Sequence, residues 1–267
     1  ESLGVPDAPP ATVLPAGAGG MRAGRYGVAV SFVSDQGEGG LSPLRFIQIE
    51  EGGGLLLQDL PTSPGATGLR IYRTHENGAV LYLAAEVPLG FPSYNLGNMK
   101  LGVAADTQHL RQMPPGEFVA MLNGFLLVAH GNVIRFSEPM RYGLWSPRHG
   151  FVQLPDRITM LAAVGNAVFV GTRSGVTVLR GAKPREWELD DTGARPPIPR
   201  AATHIQSGDT RTEVPGRTMA VWLAPNGFVM GTEDGQVIEL QANRVDRIAH
   251  SAGAICLQNR RVTAVVA

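Results

Sequence analysis

The side chains whose spacing invites chemistry are three acidic pairs, Glu50-Glu51, Asp190-Asp191 and Glu233-Asp234, and six histidines, His75, His109, His130, His149, His204 and His250. Paired carboxylates point first to glycoside hydrolysis, which needs two of them about 5 to 10 Å apart across a pocket. Adjacent residues on a strand point to opposite faces, so none of these pairs meets that need alone. Asp234 precedes Gly235, where an Asp favours a turn through its local hydrogen bonds. No histidines stand at the short spacing of a zinc site, and the single cysteine, Cys256, cannot complete one.

Cys256 excludes an internal disulfide, and its setting in Ala254-Ile-Cys-Leu predicts a buried, inert thiol. The Gly-rich pieces near Gly17, Gly37 and Gly52 lack the Gly-Lys-Ser/Thr of a phosphate loop. No serine sits in a Gly-x-Ser-x-Gly elbow. No catalytic, cofactor-binding or metal-binding residue is therefore assigned, and the chain is read as a non-enzyme. Trp145, Trp187 and Trp222 are of a type that stacks on sugars. Trp222, in Met219-Ala-Val-Trp-Leu, and Trp187, in Arg185-Glu-Trp-Glu-Leu, instead fit strand packing. Lys plus Arg equals Asp plus Glu at 23 each, with a pI near 7.3, so nothing draws a polyanion from a distance. Specific nucleic-acid binding is not expected; Arg195, Arg200, Arg211 and Arg217 could form a local basic patch, but a solvated loop is the favoured reading. No run approaches the roughly 18 apolar residues that cross a bilayer, and no signal peptide is visible.

The elements that must carry these residues are short strands. Gly 34 and Pro 20 amount to roughly a fifth of the 267 residues and fall between short apolar runs. No window shows a sustained helical apolar period, so the chain is expected to be all-β. Three stretches repeat one phrase: Asn123-Gly-Phe-Leu-Leu-Val-Ala-His-Gly, Gly165-Asn-Ala-Val-Phe-Val-Gly-Thr-Arg-Ser-Gly and Asn226-Gly-Phe-Val-Met-Gly-Thr-Glu-Asp-Gly. Each runs Asn, strand, turn and strand, with Gly131, Gly175 and Gly235 as turn glycines expected at positive φ. A repeated hairpin cannot bury its apolar face alone and must stack on its neighbours, as in a β-propeller.

Residues 1–22, rich in Pro, Ala and Gly, read as an extended arm or linker. Residues 23–107 read as a β-sandwich: Arg25–Val33 places Tyr26, Val28, Val30 and Phe32 on one face, and Leu69–Thr74 and Ala79–Val87 flank a turn at Asn77-Gly78. Residues 108–267 read as a blade array of roughly four blades at the usual 40 residues each. Asn123 to Asn166 is 43 residues and Asn166 to Asn226 is 60, the excess lying in a polar insertion at 190–215. An incomplete propeller, completed by residues outside this chain or by a neighbour, stands as the alternative to a closed one.

Gly24-Arg-Tyr-Gly-Val-Ala-Val-Ser-Phe-Val, Gly37-Glu-Gly-Gly-Leu-Ser-Pro and Leu69-Arg-Ile-Tyr-Arg-Thr together are similar to the fibronectin type III-like module of tailed-bacteriophage tail proteins, over about residues 22–95. The stretch from Gly116 to Ser137-Glu-Pro, with Leu144-Trp-Ser-Pro and Ile158-Thr-Met-Leu-Ala-Ala-Val, resembles the propeller-type segment of phage tail and tail-tip proteins. The resemblance implies a structural protein of the virion tail, assembled in the host cytoplasm as a homo-oligomeric ring with other tail proteins, without a cofactor or membrane insertion. Arg195, Arg200 and Arg211 are the candidate assembly contacts. A host surface glycan is a further partner to consider. The alternative readings are a carbohydrate- or receptor-binding propeller and a propeller enzyme acting on polysaccharide.

Overall fold

The computed structural model describes residues 3–206, 218–241, 244–245 and 252–267, which leaves Arg211, Arg217 and His250 outside the described residues. Among these there is no α-helix, only strands, turns and a single 3-10 turn at Pro184–Glu186. The chain forms two compact units. The first comprises Glu1–Pro114 with Tyr142–Pro147, and the second Pro115–Arg141 with Arg148–Ala267. The division near residue 108 expected from sequence thus falls at Pro114, and the first unit takes back a short later segment.

The strands of the first unit are β1 (Thr12–Ala16), β2 (Gly24–Ser34), β3 (Gly37–Glu38), β4 (Arg45–Ile49), β5 (Gly54–Gln58), β6 (Gly68–Thr74), β7 (Leu81–Pro88), β8 (Ser93–Leu96) and β9 (Arg111–Gln112). They make one antiparallel sheet in the order β1-β5-β8 and a second in the order β3-β2-β6-β7, with β4 also on β2. Alternation decides what lies between them: Tyr26, Val28, Val30 and Phe32 of β2 meet Leu55 and Leu57 of β5 in one buried cluster. The expected face of β2 is the observed one.

The proline- and glycine-rich start is not a free arm here. Thr12 pairs with Gln58 and Ala16 with Gly54, while Val5, Ala8 and Ala11 are buried in the same cluster. Gly19 in it serves close packing: a Cβ there would stand 2.5 Å from the Cα of Gly54, and a Cβ on the facing Gly97 would stand 2.7 Å from the Gly19 carbonyl oxygen. The other face of the β2–β6 sheet sets a polar hub beside a small apolar cluster of Ala29, Leu41, Tyr72 and Leu81. Glu38 accepts hydrogen bonds from Ser31 Oγ (2.5 Å), Tyr72 Oη (2.8 Å) and Arg70 Nη1 (2.7 Å), and Arg70 Nε reaches Glu86 at 2.6 Å.

The second unit is four successive antiparallel sheets. The first holds β10 (Phe118–Leu122), β11 (Phe125–His130) and β12 (Val133–Glu138). After it, β13 (Arg141–Trp145), whose residues 142–145 belong to the first unit, pairs there with β9 through Leu144 and Trp145, and β14 (Phe151–Gln153) pairs with β12. The second sheet is β15 (Ile158–Val164), β16 (Ala167–Thr172), β17 (Val176–Arg180) and β18 (Glu188–Asp191). The third is β19 (Ala202–Gln206), β20 (Thr218–Ala224), β21 (Gly227–Gly231) and β22 (Val237–Glu239). The fourth has β23 (Gly253–Gln258) and β24 (Arg261–Val266).

These sheets stack face to face, because strand alternation gives each of the middle two an apolar surface on both sides. Leu161, Val168 and Leu179 of the second sheet pack on Leu127, Ile134 and Phe136 of the first. Met160, Val164 and Phe169, on its other face, pack on Ala220, Trp222 and Val229 of the third. Met219 and Val221 in turn meet Leu257 and Val262 of the fourth. The first strands of successive sheets begin side by side: the Arg200 N–H donates to the Thr159 carbonyl at 3.0 Å, and the Gly253 N–H to Pro199 at 3.0 Å.

The repeated hairpins are present, but the third is out of phase. Asn123 and Asn166 sit in the turns β10–β11 and β15–β16, and Asn123 Nδ2 donates to Asn166 Oδ1 at 3.0 Å. Asn226 instead sits one strand later, between β20 and β21. Asn259, between β23 and β24, takes the place in the fourth sheet that Asn123 takes in the first. Gly131 and Gly235 have the expected positive φ (61° and 79°). Gly175 does not; it lies in the loop between β16 and β17, where the Ala194 carbonyl oxygen would be 3.2 Å from a Cβ. Close approach, not turn handedness, explains that glycine.

Candidate functional site

The first strands of three sheets start around one cleft of about 440 Å³ in the second unit. Glu117 precedes β10, Arg157 precedes β15, and Arg200 comes two residues before β19. Arg173 enters from the β16–β17 loop, and Pro196, Pro197 and Pro199 form a rigid wall. That wall seats closely because Gly171 has no side chain: a Cβ there would stand 2.2 Å from Pro197 Cγ.

Arg157 Nη2 donates to both Glu117 carboxylate oxygens at 3.0 Å. His130 Nδ1 lies 3.7 Å from the same carboxylate. The Arg157 guanidinium, first among the causes, holds the Glu117 carboxyl below its usual range. Arg173 and Arg200 are exposed, and their guanidinium groups have no hydrogen-bond or ion-pair partner among the described residues. The cleft therefore carries three cations against one anion. Arg200 also has φ +64°, a left-handed conformation that side chains other than glycine adopt at a cost of about 1 to 3 kcal/mol. Thr159 Oγ1, in the same lining, is buried without a partner among the described residues. The arrangement can hold an acidic group; it sets no nucleophile beside a base.

Of the three expected contact residues, Arg200 lines this cleft, Arg195 is exposed on the same loop outside the lining, and Arg211 lies outside the described residues. Arg157 and Arg173 were not singled out by sequence. The signal for them is weak: each merely adjoins a strand end. The acidic pairs are held apart in local roles. Glu51 accepts from the Ala23 N–H at 2.9 Å, Asp190 pairs with Arg180, Asp191 accepts from the Gly193 N–H at 3.0 Å, and Glu233 accepts from the Thr218 N–H at 2.9 Å. His204 Nε2 lies 3.0 Å from the Ala163 carbonyl oxygen. Among the described residues no three His, Cys, Asp or Glu side chains converge as a metal site would require.

Trp187 and Trp222 are both buried, Trp187 edge-on to Phe136 with ring centroids 6.0 Å apart, so neither ring is offered to a sugar. Cys256 is exposed, contrary to the expectation of burial. In β23 it is Ile255 and Leu257 that turn inward, and the residue between them must face out. No helix of the described residues is long and apolar enough to cross a membrane.

No protein-family model matches the chain, and no curated protein matches it. Among solved structures it is similar to Hsv2 of Kluyvelomyces marxianus, with 10% identity and a TM-score of 0.23 over 70% of this chain and 60% of that one. A superposition that loose defines no shared fold.

Proposed function

We propose that the chain is a structural component of a bacteriophage tail. In this reading the first unit is a fibronectin type III-like module and the second an open, β-propeller-like array that assembles with copies of itself and with other tail subunits. The observation that carries the reading is apolar surface left bare on the outermost sheets of the array. Val119 and Met121 of β10 are 57% and 50% exposed, and Val265 of β24 is 70% exposed. Large exposed apolar side chains on strand faces are commonly sites of association. Zero formal charge sets no long-range repulsion between copies. The arginine cleft supplies the polar part of such a contact, with Arg173 and Arg200 suited to an acidic segment of a neighbouring subunit.

Sedimentation velocity and negative-stain imaging of the full chain test the assembly. Concentration-dependent rings or arcs are expected, weakened at least tenfold in dissociation constant by Met121→Glu or Val265→Glu, because a charge forced into an apolar contact costs more than about 1.4 kcal/mol. Arg173→Glu with Arg200→Glu should act in the same direction by a smaller amount. A chain that stays monomeric at all accessible concentrations, and is absent from purified virions, rules the reading out.

A further inference from the structure

Arg73 is the one charged residue among the described residues that is buried, at 4% exposure. Strand alternation puts it there. On β6, Leu69, Ile71 and Arg73 share a face, and they pair with Phe32, Val30 and Val28 of β2, which line the core. Among the described residues no carboxylate meets it. Its guanidinium donates only to neutral carbonyls, those of Thr74 (3.2 Å), Met99 (3.4 Å) and Gly97 (3.5 Å), the last two at the long limit for such a bond. Nε has no partner among the described residues. A buried cation without a counter-ion is strongly unfavourable, and folded proteins nearly always supply one.

Arg73 lines an open cleft of about 710 Å³ in the first unit. Arg22 and Lys100, both exposed, add positive charge at its rim, against the single acid Glu76. The Tyr26 ring lies 5.7 Å from the Arg73 guanidinium carbon, and His75 and Tyr82 stack edge-on at 4.9 Å to form an aromatic side. Burial also holds the Arg73 pKa below its ordinary value, the direction expected of a cation short of a partner.

We infer that this cleft binds a ligand carrying a carboxylate or phosphate group, which acts as the missing counter-ion of Arg73, with Lys100 and Arg22 drawing the anion in and the His75–Tyr82 pair packing on the body that bears it. This site lies in the first unit and stands apart from the assembly reading, which rests on the second. The inner role of Arg73 as a pin for the 97–99 carbonyls is the rival account, and the two differ in what an added anion does.

The test is thermal unfolding and NMR titration of the full chain with inorganic phosphate, phenyl phosphate and benzoate, at constant ionic strength set with chloride. Saturable stabilisation and shifts of resonances around β6 and residues 97–102 are expected with phenyl phosphate or benzoate, and the stronger of the two identifies the anion. Lys100→Glu, at an exposed position, should weaken binding at least tenfold and leave unfolding in chloride unchanged, and Glu76→Gln should strengthen it. Arg73→Met should abolish binding while the protein stays folded. The proposal fails if none of the three anions gives a saturable effect, if chloride does as well, or if binding survives both Lys100→Glu and Arg73→Met. Loss of folding in Arg73→Met leaves Lys100→Glu and Glu76→Gln to decide.

Discussion

The two units fill the space between their sheets by different rules. In the second, the contact between its second and third sheets is built from Met160, Phe169, Val178, Trp222 and Val229, with the Phe169 and Trp222 rings 5.3 Å apart. In the first, charge enters the same kind of space. β6 carries Arg70 outward into a hub with Glu38 and Glu86, and Arg73 inward with no acid among the described residues. Apolar faces need only matching volume, whereas buried charge needs a specific partner. The first unit is thus where substitutions should read out polar chemistry, and the second where they should read out packing.

Trp222→Ala should have the largest effect. It empties the centre of the apolar contact and should cost about 3 to 5 kcal/mol in denaturant unfolding; a loss under about 1 kcal/mol would mean the sheets do not pack as described. Glu38→Ala comes next. It strips Ser31, Tyr72 and Arg70 of a shared acceptor, and about 2 kcal/mol is expected, with Arg70 partly compensated by Glu86. Arg73→Met, measured without added anion, should have the opposite sign or none, a gain of up to about 1 kcal/mol, because an unpaired buried charge gives way to an apolar chain of similar length. A large loss there would make Arg73 a structural pin.

The smallest effect expected is a pH dependence. Burial, and then its hydrogen bond to Glu38, raise the Tyr72 pKa above the ordinary 10.0. The unfolded chain therefore loses this proton before the folded one does. The contribution is complete below pH 10.0 and declines as pH rises beyond it toward the raised value. Alkaline unfolding curves of the protein and of Tyr72→Phe should diverge only above that point.

Much of this was legible from period-two alternation. Tyr26, Val28, Val30 and Phe32 announce the buried face of β2; the same rule, carried along Leu69, Ile71 and Arg73, points the arginine inward, against the usual surface position of that residue type. Alternation gives no phase between sheets, since apolar strands look alike. Asn226 therefore looks equivalent to Asn123 and Asn166 in sequence although it belongs one strand later, and Asn259, in the matching turn, lacks the adjacent glycine that marks the others. Composition misled in two places. Proline and glycine before residue 22 signalled an arm, whereas Gly19 is small so that backbones can touch. The apolar neighbours of Cys256 signalled burial, whereas only alternate residues of an outer sheet are covered. The arginine cleft depends on loops converging from residues 117, 157, 173 and 200, and no local pattern carries that information.

The return of residues 142–147 to the first unit has a consequence for synthesis. Gly4 and Gly143 press together there, a Cβ on Gly4 falling 2.5 Å from the Gly143 Cα, and the Met113 N–H donates to the Gly143 carbonyl at 2.8 Å. A nascent chain released as far as Pro114 lacks this clasp and cannot finish its first unit until three strands of the second have also left the ribosome. Maturation of the two is interleaved, and a truncation after Pro114 would yield a fragment with its seam unfastened.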